Sequence, residues 1–253
     1  MHRLTDSPFG ATRTTIAADY ALFAPDGNVV SPLSSWASTD GIILISPALA
    51  AAPRSPRFTQ YVALTTGKSN STGAPAGVQR FCYVLAGEIS VDGAQLTAGG
   101  FCWLPPDVPH DIKGLGEGRV MVFEKPYAAL PNTPPPTKIL SSRSTTPTSA
   151  FLGDEAVQVA LLLPAKPEFD MAMNIVHYQP GATLPFVETH VMEHGLVMLE
   201  GQGIYRLAND WFPVQTDDVI WMAAYCPQWF VAMGKEPASY LLYKDVHRHP
   251  LSP

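Results

Sequence analysis

The stretch 185-PFVETHVMEHGLVMLEGQG-203 places a glutamate, two histidines and a second glutamate within seven residues, then runs into an apolar segment closed by glycines. A helix here would have to start just after Pro185, contain Gly195 and meet Gly201 and Gly203 close behind, while 197-VML-199 favours a strand. Alternation with period two sends Glu188, His190, Met192 and His194 to one face and Val187, Thr189, Val191 and Glu193 to the other. On a helix Glu188 would stand about 200° from His190. The strand reading therefore gathers one carboxylate and two imidazoles. Inside a small barrel such groups need a partner, and a bound metal is the partner that satisfies all three.

The helical alternative makes 190-HVMEH-194 the HxxEH zinc pattern of an inverted-zincin peptidase and leaves Glu188 outside the site. The rest of the chain favours strands. With 25 prolines, 19 glycines and only 15% charged residues, the composition fits short strands and frequent turns, and 46% apolar residues supply a core. The expected class is all-β, with a small antiparallel barrel or jelly roll in each of two halves. From Leu130 the chain reads LPNTPPPTKILSSRSTTPTSA, which looks like a connector. The expected division is an N-terminal domain over 1–130, a linker over 131–149 and a C-terminal domain over 150–253.

The two halves resemble each other. In 83-YVLAGEISVDGAQLTAGGFCWLPPDVPHDI-112 and 197-VMLEGQGIYRLANDWFPVQTDDVIWMAAYCPQWF-230, aligning Leu85 with Leu199 and Gly87 with Gly201, with four extra residues before the second tryptophan, superimposes Trp103 on Trp221 and His110 on Gln228. This is an internal duplication of roughly 100 residues.

The formal net charge of −6 is spread out, with no Lys/Arg cluster to neutralise phosphates, which argues against nucleic acid. Cys82, Cys102 and Cys226 are far apart and form no CxxC pair, so three buried, reduced thiols are expected. The opening MHRLTDSPFGATRTT lacks an apolar core segment, and no run of about 18 apolar residues occurs, so the expectation is a soluble cytoplasmic protein without a membrane partner.

Gly181, Glu188, His190, His194 and Gly201, followed by Gln228 after the Trp-to-Pro segment, look like the two motifs of a cupin. The segments FDMAMNIVHYQPGA (169–182), ETHVMEHG (188–195), GQGIYRLANDWFPV (201–214), SYLLYKD (239–245) and ADYALFAPDGNVVSPL (18–33) resemble one bicupin family, the (S)-ureidoglycine aminohydrolases of purine and allantoin breakdown, over nearly the full chain. The resemblance implies manganese ligands at Glu188, His190, His194 and Gln228, substrate contacts at Tyr205, Tyr240 and Lys244, and catalytic parts for Lys244 and Glu188. It implies release of ammonia from (S)-ureidoglycine and a homo-oligomer. In the N-terminal half the equivalents of the first three ligands are Ala74, Ala76 and Arg80, leaving only His110 opposite Gln228, so that half is expected to hold no metal.

Two imidazoles, a carboxylate and an amide oxygen suit Mn2+, with Fe2+ or another divalent ion as alternatives. Tyr240 and Lys244, four apart in an expected strand, share a face with Leu242. Plainer readings stand beside these: Lys244 as a solvated strand residue, Tyr205 as a core aromatic, Met192 and Cys226 as barrel filling, Glu193 as solvated or paired, and His177, His247 and His249 as structural or surface residues. Two functional alternatives also stand, a non-haem iron dioxygenase and a non-catalytic ligand-binding bicupin.

Overall fold

The computed structural model describes residues 12–49 and 56–245. Its ladders are antiparallel, and the helical segments among the described residues are two short 3-10 turns, Pro25–Gly27 and Arg143–Thr145. The chain is all-β, as composition and turn spacing lead one to expect.

Each half pairs one large sheet with one small sheet. In the second half the large sheet centres on His194–Glu200, Ala238–Lys244 and Ala172–Tyr178, and the small one is Asp210–Gln215, Gln202–Leu207 and Gln228–Ala232. In the first half the large sheet centres on Val78–Ala86, Gly118–Pro126 and Thr59–Thr65, and the small one contains Ile112–Gly114, Glu88–Val91 and Ala94–Thr97.

The large sheets are buried on both faces, which is why their strands read as nearly unbroken apolar runs such as GFCWL and VIWM. Their outer faces meet in a shared core containing Phe81, Trp103 and Phe123 from one half and Met173, Trp221 and Tyr243 from the other. Their inner faces close the two barrels: Trp36, Tyr61, Cys82 and Ile112 fill the first, while Tyr178, Leu196, Phe230 and Tyr240 fill the second. The three cysteines are free and buried. The small sheets keep alternation, as in Gln202–Leu207, where every second side chain is buried.

The duplication is repeated in register. Trp103 lies opposite Phe81, and Trp221 lies opposite Gly195, which is the position equivalent to Phe81. Gly87 and Gly201 adopt φ of +76° and +75°, and a Cβ at either would run into the backbone of Glu117–Gly118 or Pro237–Ala238. Only glycine suits both the left-handed turn and the close approach.

Sheet membership departs from chain order in two places. Thr15–Ile16 and Tyr20–Phe23 join the large sheet of the second half, where Tyr20–Phe23 pairs with Val219–Met222 and Arg13 forks onto Asp218 at 2.8 and 2.7 Å. The expected linker contributes Ile139–Ser142 to the first half's sheet, paired with Gly100–Leu104. Backbone pairing draws these segments in despite their weak apolar periodicity.

Candidate metal and substrate site

The segment that decided the fold is extended, but it is not one strand. Glu188 forms a two-way backbone bridge with Gln228, at 2.8 and 2.9 Å, the chain bends at Val191–Met192, and the regular strand begins only at His194. The helical HxxEH arrangement is therefore absent from this stretch. Alternation holds up to the bend, with Val187, Thr189 and Val191 exposed and Glu188, His190 and Met192 half-buried. It fails after the bend, where Glu193 and His194 are both buried. Glu193 is paired rather than solvated: its carboxylate accepts the Arg57 N–H at 2.8 Å and the Tyr243 hydroxyl at 3.1 Å.

The bend stacks the two imidazoles, whose ring centres are 4.1 Å apart. His194 Nδ1 faces the Met192 carbonyl at 3.2 Å, a contact in which the ring nitrogen donates, so Nε2 keeps its lone pair. That Nε2 is buried without a partner, as is His190 Nδ1. Gln228 sits 3.1 Å from His190 Nε2 through its amide nitrogen, and its Oε1 accepts the Tyr205 hydroxyl at 3.0 Å. Tyr240 lies on the same inner face, its hydroxyl 2.7 Å from that of Tyr178. Lys244 ends its strand directly opposite His194 and is half-buried rather than fully solvated.

Electrostatics follow from this enclosure. Burial lowers the pKa of His190 and lowers that of His194 strongly, and the Lys244 ammonium pushes both the same way, so both imidazoles are neutral lone-pair donors. Burial raises the pKa of Glu188, opposed by Lys244, and lowers that of Lys244, opposed by Glu188. Tyr205 and Tyr240 are held protonated by burial.

These are donors of the kind a divalent cation takes: His194 Nε2 is buried without a partner among the described residues, His190 Nε2 meets the Gln228 amide, burial disfavours the charged form of Glu188, and the amide is a fourth donor. Among the described residues no ready-made cage of three His, Cys, Asp or Glu side chains occurs. Glu188, His190 and His194 do not close into one as placed, and the fourth donor, the Gln228 amide, turns its NH2 toward His190. Ligation through Oε1 calls for an amide flip, which leaves the Tyr205 hydroxyl an NH2 to accept from.

Tyr178 joins the site although sequence reasoning passed over it. It lies two residues beyond Val176 on the inner face, a placement that only the strand register reveals. Met192 is half-buried, Cys226 packs in the barrel interior, and His177 Nδ1 lies 3.6 Å from the Glu200 carboxylate. His247 and His249 lie outside the described residues.

The equivalent place in the first barrel is filled by Arg80. Its guanidinium is wholly buried, bonded to Glu124 at 2.7 and 2.6 Å, to Ser71 Oγ at 2.8 Å and to the Gly73 carbonyl at 3.1 Å. His110 is buried close by, with Nδ1 on the Val108 carbonyl at 3.1 Å, and its pKa is lowered by burial and then by Arg80.

Residues 174–243 match the cupin domain family. The "Probable (S)-ureidoglycine aminohydrolase" of Oryza sativa subsp. japonica is 39% identical over 98% of this chain and 79% of its own length. The (S)-ureidoglycine aminohydrolase of Arabidopsis thaliana is 37% identical over 98% of this chain and 82% of its own length. Among solved structures, a glyoxylate-induced protein from Pseudomonas aeruginosa superposes with a TM-score of 0.86 at 27% identity, covering 96% of this chain and 94% of that one. Oxalate decarboxylase from Lactobacillus farciminis, at 14% identity and a TM-score of 0.68 over 93% of this chain and 88% of its own, shares the fold.

Proposed function

Since this chain belongs to the (S)-ureidoglycine aminohydrolase family, we propose that Glu188, His190, His194 and Gln228 hold its divalent metal, with Mn2+ as the expected ion. The reaction exchanges the amine on the substrate's central carbon for a hydroxyl: (S)-ureidoglycine and water give (S)-ureidoglycolate and ammonia, a step of purine and allantoin catabolism. The observation that carries the metal reading is His194 Nε2, a buried imidazole nitrogen with its lone pair free and no partner among the described residues, beside the contact between His190 Nε2 and Gln228.

When bound, the metal would supply Lewis acidity toward a chelating substrate. The remaining work falls to side chains of the barrel. Lys244 is half-buried, and its ammonium and the Glu188 carboxylate attract each other, charges that cancel on their own. Adding a dication leaves the site net positive, which favours a substrate bearing a carboxylate. Lys244 donates to that carboxylate or to the ureido oxygen. Tyr205 holds Gln228, and the Tyr178–Tyr240 hydroxyl pair offers a donor to the same oxygen. These protonated hydroxyls bind and orient, and they are too weakly acidic at neutral pH to serve as bases.

The test is metal analysis of the purified protein combined with an ammonia assay on freshly generated (S)-ureidoglycine. Ammonia release without oxygen uptake, from protein holding about one metal ion per chain, is expected. Oxygen consumption during turnover would instead favour the dioxygenase alternative. Because Arg80 fills the first barrel, His110→Ala is expected to leave metal content unchanged, and a fall to zero would show that the ion sits in the wrong half for this assignment. The protein is expected to act as a cytoplasmic homo-oligomer, covering sheet edges by self-association. Light scattering that returns the 27.3 kDa mass of one chain would refute the oligomer.

A further inference from the structure

Where the two large sheets meet, charged groups are buried that the chemistry above does not use. Lys125 belongs to the first half and is 5% exposed. Its ammonium donates to the carbonyls of Asp170 at 2.6 Å and Asp245 at 2.7 Å and pairs with the Asp170 carboxylate at 2.8 Å. Asp245 directly follows Lys244. Its carboxylate lies 3.3 Å from the Arg57 guanidinium, and its N–H donates to the Glu193 carbonyl at 3.4 Å. Arg57 also binds Glu193 through its own N–H. Residues of the first half thus grip the chain beside His194 and beside Lys244.

The duplication shows that this grip was built twice. Arg80 is equivalent to His194, and these pair with Glu124 and Lys244. Lys125 is therefore the counterpart of Asp245. Thr59 pairs with Glu124 and Ala172 with Lys244, which makes Arg57 the counterpart of Asp170. The ion pairs Lys125–Asp170 and Asp245–Arg57 are one contact formed twice, side by side, with its polarity reversed. One copy flanks Glu124, which neutralises Arg80 in the first barrel. The other flanks Lys244.

We infer that Lys125, supported by Arg57, is a positioning residue for Lys244, so that the metal-free half sets the geometry of the other half's site. Lys244 is the last residue of its strand, where a ladder would otherwise fray, and it carries a long side chain with many rotamers. Holding the next carbonyl and carboxylate fixes the backbone from which the ammonium projects. The inference rests on the reading of Lys244 as a substrate contact.

Its test is a double-mutant cycle on the metal-loaded, full-length enzyme, comparing Lys125→Met, Lys244→Met and the double variant by kcat, KM and bound metal. Lys125→Met should lower kcat/KM by about tenfold with metal content unchanged, and the double variant should be no slower than Lys244→Met alone. Losses that multiply in the double variant would overturn the positioning role and leave Lys125 a structural residue. Wild-type activity in Lys244→Met would remove the underlying reading, and this inference with it. Should Lys125→Met not fold, Arg57→Ala takes its place, because that side chain is 68% exposed and its loss leaves the core intact. A loss of several-fold that vanishes in the Lys244→Met background supports the inference, and an undiminished loss there overturns it.

Discussion

His194→Ala is expected to yield a folded protein without tightly bound metal and without ammonia release. The residue is 2% exposed, and its Nδ1 is committed to the Met192 carbonyl, which leaves Nε2 as a neutral acceptor that nothing among the described residues satisfies. Removing one of the four proposed ligands should cost more than the roughly 10–100-fold that follows loss of a group merely supporting a ligand. The stability cost should stay near 1–3 kcal/mol. Neither apolar barrel interior nor the core between the large sheets depends on this imidazole. Metal analysis after dialysis, beside a far-ultraviolet circular dichroism spectrum, checks both halves of the statement. Stoichiometric metal in a folded His194→Ala protein would sink the assignment, and His190→Ala should behave in the same way.

The second large effect concerns Lys244→Met, which keeps the stem and removes the charge. A hydrogen bond from a half-buried ammonium to an anion contributes roughly 1.5–3 kcal/mol, and about 1.4 kcal/mol is one factor of ten. The variant should therefore lose about tenfold to a hundredfold or more in kcat/KM, with all four metal ligands in place. Burial already disfavours the charged lysine. Exchanging it for methionine next to Ala172 and His194 should leave the melting temperature unchanged or raise it, the trade-off expected where a side chain serves activity rather than folding. Near wild-type turnover in a metal-loaded variant would remove Lys244 from the site.

Much of the molecule could be read from the chain, because its signals are local. Proline and glycine punctuation set the class, and the repeated Trp and Gly spacing fixed equivalent registers in both halves. Alternation in 188-ETHVMEH-194 puts Glu188, His190 and His194 on one face, and burial follows it as far as Met192 and departs from it at Glu193. What could not be read is what depends on distant backbone. Glu193 turns inward because Arg57 and Tyr243, from other strands, offer it donors. Lys244 looks like a solvated lysine in sequence and is half-buried by the barrel that closes around it. Tyr178 and Lys125 have no signature of their own, since their parts depend on a neighbouring strand's register and on the opposite half. The exchange of Tyr20–Phe23 into the second sheet is likewise invisible to composition, as those residues pair with partners roughly 200 positions away.

That exchange bears on how the chain comes to be folded as it is synthesised. The strand Tyr20–Phe23 is synthesised roughly 200 residues before its partner Val219–Met222, and Asp218, which receives Arg13, follows that arginine by 205 residues. The second barrel cannot complete its sheet until Val219–Met222 has been translated, and until then one edge of the earlier strand must wait without its partner. Such long-range pairing raises contact order and slows the final step. Refolding should therefore be limited by docking of this leading strand, and the waiting segment, with its free edge, is where a holdase-type chaperone would be most useful during translation.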